Sequence, residues 1–140
     1  KEVIIQHWKN IDVLVLERTY YTGATRKRKV ISACNKMLRT LLFPKSFSGM
    51  KDLNFIQFYS NTVLKDVMPL ASSPTFTSAE MIYRTMHLKH RIKNIPFEYQ
   101  GRPVGKGSLG KVHDITWSIY DMLRFKYLVL IGLDKNGKLK

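Results

Sequence analysis

The sequence predicts an α/β fold. Short apolar or β-branched runs suited to strands, at Asp12–Leu16, Leu53–Tyr59 and from Ile92, alternate with longer segments whose apolar residues recur at helical spacing. Glycine-, proline- and serine-bearing stretches separate them, and no internal repeat or linker divides the chain. Its 140 residues suit one modest domain, and a hydrophobic content of 44% is ordinary for a globular protein.

Residues 1–9 read as the end of a helix. Asp12–Leu16, DVLVL, is apolar enough for a buried strand. Glu17–Gly23 reads as a polar loop, with Glu17 and Arg18 just beyond the strand's carboxyl end, where α/β sheets place ligands. Arg26–Lys29 is the densest basic cluster. Such a run is usually a solvated face, but here it opens a helix with an apolar stripe of Val30, Ile31, Cys34, Leu38, Leu41 and Leu42. On that helix Arg28, Ser32 and Asn35 share a face. They can hold one oxyanion together, or be unrelated polar groups on an exposed face.

Pro44–Lys51 reads as a loop, Leu53–Tyr59 as a strand, and Asn61 as the cap of a short helix through Met68. After the Ala71–Pro74 loop, Thr75 or Thr77 caps a helix to about His90. Glu80, in its first turn, is either a partner of the helix dipole or a site acid. His87 and His90 stand three apart near its end, with no third metal ligand in view.

The next stretch, Ile92–Lys111, begins as a strand. Pro96 cannot donate to a ladder, which predicts an edge position or a bulge. It continues with Gly101, Gly105, Gly107 and Gly110 among Arg102, Lys106 and Lys111, a composition that suits phosphate, because glycines let backbone N–H groups converge on an anion. Gly105, Gly107 and Gly110 fit G-x-G-x-x-G, but too little chain follows for a dinucleotide-binding half. With Val112 and Lys126 they also echo a kinase glycine loop, without the H-R-D and D-F-G motifs. A soluble surface turn is the third reading. Val112–Lys126 then reads as a helix with Ile115, Ile119, Met122 and Leu123 on one side. Trp117, Tyr120, Arg124, Phe125, Lys126 and Tyr127 give it an aromatic and basic mixture suited to an interface, though a core helix reads similarly. The final DKNGKLK reads as a loose tail.

Lys and Arg number 24 against 10 acids, a net charge of +14 that favours nucleic acid, phosphorylated ligands or an acidic membrane. The single cysteine, Cys34, excludes an internal disulfide and a cysteine-rich zinc site. The apolar run at Tyr127–Ile131 is too short to span a bilayer. The start lacks a signal-peptide pattern and an initiator methionine, so the chain reads as a fragment.

Taken in order, these segments resemble the carboxyl-terminal half of a family 2 glycosyltransferase of the dolichol-phosphate mannosyltransferase type. Leu16-Glu17-Arg18-Thr19-Tyr20 stands where that family has an apolar strand ending in Ser-Arg-Tyr. Arg28, Ser32 and Asn35 match its Arg-x-x-x-Ser followed by Asn, Asp52–Tyr59 its Asp-led strand, and Glu80 an early helix Glu. Ile92, Ile95, Pro96, Phe97, Arg102, Gly105 and Ser108 match an Ile-x-x-Ile-Pro-Phe strand running into Arg-x-x-Gly-x-Ser. Phe55-Ile56-Gln57 departs from the usual Ser-Gly-Phe or Cys-Gly-Phe, the loop carries an extra glycine, and no Asp-x-Asp occurs.

The resemblance implies part of a GT-A-like mixed-sheet domain with flanking helices, with residues 1–140 forming its acceptor side and the donor-binding half missing, so that the chain alone is inactive. It implies inverting transfer of a sugar from a nucleoside diphosphate sugar to a polyprenyl phosphate, at the cytoplasmic face of a membrane, by a peripheral enzyme. Arg28 and Ser32 would hold the acceptor phosphate beside Arg18 and Asn35. Arg102, Gly105, Lys106 and Ser108 would close over the donor diphosphate or the acceptor, and Glu80 would orient a basic group or the sugar. A divalent metal, Mg or Mn, would have its ligands mostly outside this chain. The expected partners are these two substrates and an acidic membrane surface, with no nucleic acid. The alternative, resting on the charge, is a basic non-enzymatic module that binds nucleic acid or other polyanions.

Overall fold

The computed structural model describes residues 8, 10–20, 26–44, 46–47, 50, 53, 55–98 and 112–132. β1 (Val13–Tyr20) is the middle strand of their sheet, ordered β2–β1–β3. It pairs in parallel with β3 (Ile92–Glu98), Val13 opposite Ile92 and Tyr20 opposite Glu98. It pairs antiparallel with β2 (Gln57–Tyr59) through Val13–Val15. Val13 and Val15 enter the main core, while Leu14 and Leu16 join Ile95 in a second cluster on the other face. A strand covered on both faces must be apolar throughout, which accounts for DVLVL.

The strand does not end at Leu16, as its polarity predicts. Glu17, Arg18 and Tyr20 take Pro96, Phe97 and Glu98 as partners, with one register shift between Arg18 and Tyr20. Ladder pairing is backbone chemistry, so polar side chains at a sheet's rim do not stop it. β3 is an edge of the described sheet, a position that tolerates Pro96. The predicted strand Leu53–Tyr59 shortens to Gln57–Tyr59. Leu53 is buried in a turn instead, and its carbonyl accepts from Gln57 Nε2 at 2.7 Å.

Four helices complete the described fold: α1 (Arg26–Leu42), α2 (Asn61–Val67), α3 (Thr77–His87) and α4 (Val112–Leu130). The cap of α2 is Ser60, not Asn61; its hydroxyl accepts from the Val63 N–H. Neither Thr75 nor Thr77 caps α3. Phe76 takes the capping position, and Thr77 Oγ1 donates to the Ser73 carbonyl at 2.9 Å. α3 ends at His87 rather than His90, and Lys89 turns the chain with φ 60°. α4 continues past Lys126 and takes up most of the apolar run at 127–131.

Two predicted faces are only half right. On α1, Ile31, Leu38 and Leu42 are partly buried, whereas Val30, Cys34 and Leu41 are exposed. On α4, Met122 is buried with Phe125, Ser118 and Asp121, whereas Ile119 and Leu123 face outward. The reason is the aromatic hub: Phe125 packs against Phe43, Phe76 and Tyr83 at centroid distances of 5.9, 5.9 and 5.2 Å. One large ring in the core sets the roll of the whole helix, because it removes more apolar area from water than a branched aliphatic. The predicted helix end at 1–9, the glycine-rich stretch and the tail lie outside the described residues, apart from Trp8, which is not helical.

Candidate functional site

The parallel register of β1 and β3 defines the site. Their carboxyl ends lie side by side, with Arg18 opposite Phe97. The two basic segments of the sequence continue from these two ends: the path to Arg26 and α1 follows Tyr20, and the glycine-rich stretch follows Glu98.

Alternation along β1 puts Arg18 on the face of Leu14 and Leu16, beside Ile95 and Phe97. There its guanidinium carbon lies 5.1 Å from the Phe55 ring centroid, and the Phe55 and Phe97 centroids are 6.0 Å apart. Arg18 is half-buried and Phe97 is exposed. Stacking engages the face of a guanidinium and anion recognition its edge, so the two are compatible. On the opposite face Glu17 Oε1 accepts from Asn94 Nδ2 at 3.2 Å. α1 is unbroken from Arg26 to Leu42, so positions 28, 32 and 35 share one side of it. Ser32 is exposed and Asn35 half-buried. The Arg28 side chain, and all of Arg102, Gly105, Lys106 and Ser108, lie outside the described part of the structure.

Glu80 sits elsewhere, fully buried in α3. Its Oε1 accepts from Ala71 N at 2.9 Å and from Arg84 Nε at 2.8 Å, with Arg84 Nη2 2.6 Å away; its Oε2 accepts from Ser72 N at 2.8 Å. Buried Asp121 accepts from the Ser73 N–H at 3.1 Å and from the Ser73 hydroxyl, and Arg124 Nη1 donates to the Ala71 carbonyl at 2.9 Å. Two carboxylates and a guanidinium thus fix the turn from Ala71 to Ser73 between α3 and α4. Of the roles the sequence leaves open for Glu80, orienting a basic residue is the one with a partner, Arg84. Sequence reasoning overlooked Arg84, although its i+4 spacing from Glu80 was a signal. Asp121 gave none, because Ser73 lies 48 positions away.

A second polar cluster ties the amino ends of the strands. Asp12 accepts from the Arg91 N–H at 2.9 Å and from its Nε at 3.3 Å, and His90 Nε2 lies 3.0 Å from Asp66. The Arg91 contacts hold the Asp12 carboxyl below the ordinary carboxylate range, the backbone donor acting most strongly and burial opposing it. His87 does not join His90 at a metal; it stacks on Tyr83 at 6.3 Å.

Among the described residues no group of three or more His, Cys, Asp or Glu is placed to hold a metal. Five of the described acids face protein partners: Glu80 meets Arg84, Asp121 Ser73, Asp12 Arg91, Glu17 Asn94 and Asp66 His90. They do not fit a divalent cation. No helix among the described residues is long and apolar enough to cross a membrane. Comparison of the sequence with protein-family models, curated proteins and solved structures gives no match.

Proposed function

We propose that this chain is the acceptor side of a GT-A-like glycosyltransferase domain, which transfers a sugar from a nucleoside diphosphate sugar to a polyprenyl phosphate with inversion. The observation that carries the reading is the β1–β3 register: it sets Arg18 opposite Phe97, so the segments bearing Arg28 and Arg102 continue from adjacent strand ends. Carboxyl ends of parallel strands are where open α/β sheets bind ligands.

The acceptor phosphate is an anion near neutral pH, so its oxygen needs no strong base to become a nucleophile. That oxygen attacks the anomeric carbon from the side opposite the leaving group. The new C–O bond forms as the bond to the diphosphate breaks, and the nucleoside diphosphate leaves with the electron pair. The obstacle is repulsion between two phosphate-bearing substrates, and fixed cations and donors offset it while holding the attack in line. Arg28, Ser32 and Asn35 hold the acceptor phosphate, with Arg18 beside them. Arg102, Lys106 and the backbone N–H groups at Gly105 and Ser108 cover the diphosphate or the acceptor. Glu80 orients its basic neighbour Arg84 and holds the Ala71–Ser73 turn, away from the strand ends. A divalent ion would add charge neutralisation, from ligands outside the described residues.

The test is binding of a short-chain polyprenyl phosphate to the purified chain. The phosphorylated lipid should bind, the free polyprenol should not, and Arg18→Ala should weaken binding at least about tenfold, the loss of one charge-assisted contact. Equal binding of alcohol and phosphate would refute the reading. Salt-sensitive binding of arbitrary single strands without affinity for the lipid phosphate would establish the polyanion module, which the +14 charge favours.

A further inference from the structure

The outward face of α4 is inverted relative to a solvated helix. Trp117, Ile119, Tyr120, Leu123, Tyr127 and Leu130 are exposed, and no exposed residue between positions 115 and 131 is charged. The helix does carry charges there, but they point into the protein: Asp121 to Ser73, Arg124 to the Ala71 carbonyl, and Lys126 to the Phe43 ring at 5.4 Å. From Trp117 to Leu130 this apolar strip runs about 20 Å along the helix axis. A contiguous face of this kind marks a surface that meets something other than water.

We propose that α4 lies flat in the headgroup region of an acidic bilayer, its Trp117–Tyr127–Leu130 side immersed. Charge decides between a bilayer and a second copy. The chain carries +14, and α4 is flanked in sequence by Lys106 and Lys111 before it and by Lys135, Lys138 and Lys140 after it. α1, which packs against α4, exposes Arg26, Lys29 and Lys36 beside its own outward Val30 and Met37. Two such surfaces repel each other, whereas anionic headgroups attract both. Indole and phenol side chains also favour the water–lipid boundary, and a basic surface with an apolar aromatic face is the signature of a helix lying in that plane. The inference rests on α4 and not on the transfer reaction, so a chain that binds vesicles but not polyprenyl phosphate would separate the two.

The test uses the whole chain with Trp8→Phe, which leaves Trp117 as its sole tryptophan. With vesicles of mixed phosphatidylcholine and phosphatidylglycerol, Trp117 emission should shift to the blue and be quenched by bromine placed high on the acyl chains. Binding should weaken with salt and fall at least about tenfold in Leu123→Glu or Tyr127→Glu, which change exposed positions only. Quenching is read on the chain with native α4, so a variant that misfolds does not affect that result. Vesicle-bound protein whose Trp117 is not quenched would overturn the proposal. So would lipid-free self-association that Leu123→Glu abolishes, which would assign the face to a second copy.

Discussion

Replacing Glu80 by Ala should cost this protein a large part of its stability. The substitution removes the acceptor for two backbone N–H groups, Ala71 and Ser72, and for two nitrogens of Arg84. Arg84 is 3% exposed, so its charge would be left without its carboxylate in a site that water scarcely reaches. Breaking a buried pair by deleting one partner costs about 3–5 kcal/mol. Against a whole-domain stability of about 5–15 kcal/mol that is decisive. For a chain of this size it corresponds to a fall in Tm on the order of 10 °C.

The assay is urea unfolding of Glu80→Ala, Arg84→Met and of Glu80→Gln with Arg84→Met. The double variant removes both charges and keeps one oxygen for the Ala71 or Ser72 N–H, so it should be more stable than Glu80→Ala. A pair whose desolvation nearly balances its attraction behaves this way. The clamp reasoning fails if folded Glu80→Ala loses less than about 1 kcal/mol. If transfer is lost while stability holds or rises, Glu80 acts on substrate directly, since site acids are commonly kept at a cost in stability.

Three further outcomes are expected. Under the proposed function, Arg28→Ala should lower transfer to the lipid phosphate by roughly thirty- to a thousand-fold, Arg28→Lys should recover part of it, and Ser32→Ala should be milder, with donor binding near normal in all three; steady-state kinetics checks this, and full activity in folded Arg28→Ala would remove the residue from the proposed site. The Asp12 carboxyl titrates lower in the folded than in the unfolded chain, so its contribution is full above the unfolded value of about 3.9 and disappears as pH falls through the folded value. Asp12→Asn should therefore be less stable than the parent near pH 6 and converge with it in strong acid, as read from unfolding at a series of pH values. Phe125→Ala, which empties the aromatic hub, should cost about 3–5 kcal/mol in urea unfolding, whereas exposed Leu123→Ala should stay within about 0.5 kcal/mol.

The elements that show in the sequence are those whose signal is local. DVLVL announces a strand because both its faces are covered, and the spacing of Leu38 and Leu42 announces α1. What stays hidden depends on distant partners. The extension of β1 through Arg18 depends on β3, and Glu17 meets Asn94 across 77 positions. Helix periodicity gives a spacing but not which side faces inward once apolar residues occupy more than one side. On α4 the volume of Phe125 decides, and Leu123 is turned out. The caps mislead because Ser60, Asn61, Thr75 and Thr77 all carry an oxygen able to accept from the N–H groups of a first turn, and only the path of the preceding chain selects one. Of the site, the helical spacing of Arg28, Ser32 and Asn35 was legible, whereas the ring of Phe55 against Arg18 required the fold.

The two ends of the parallel pair are built differently, and the difference bears on what Arg18 can do. At the amino end the Asp12 carboxylate accepts from Arg91, the Arg91 carbonyl accepts from the Asp12 and Val13 N–H groups, and Ser60 N donates to the Asp12 carbonyl. β1, β3 and the start of α2 are thereby fastened together. Six residues further along, roughly 20 Å at the rise of a strand, Arg18 stands at the other end. Its backbone is carried by a ladder anchored at its far end, and its guanidinium rests on Phe55, so strand and ring share the work of placing it. A cation carried on a strand is positioned more narrowly than one carried on a loop. The two phosphate-bearing substrates of the proposed reaction would require that, because the attraction a fixed charge offers them is lost over small displacements. Loosening the Phe55 platform should then weaken phosphate binding without unfolding the sheet, since Leu14, Leu16 and Ile95 keep their own burial. Phe55→Ala should bind polyprenyl phosphate several-fold more weakly and leave the polyprenol unbound. Unchanged phosphate affinity in that variant would show that the Phe55 ring does not position Arg18, or that Arg18 does not meet the phosphate.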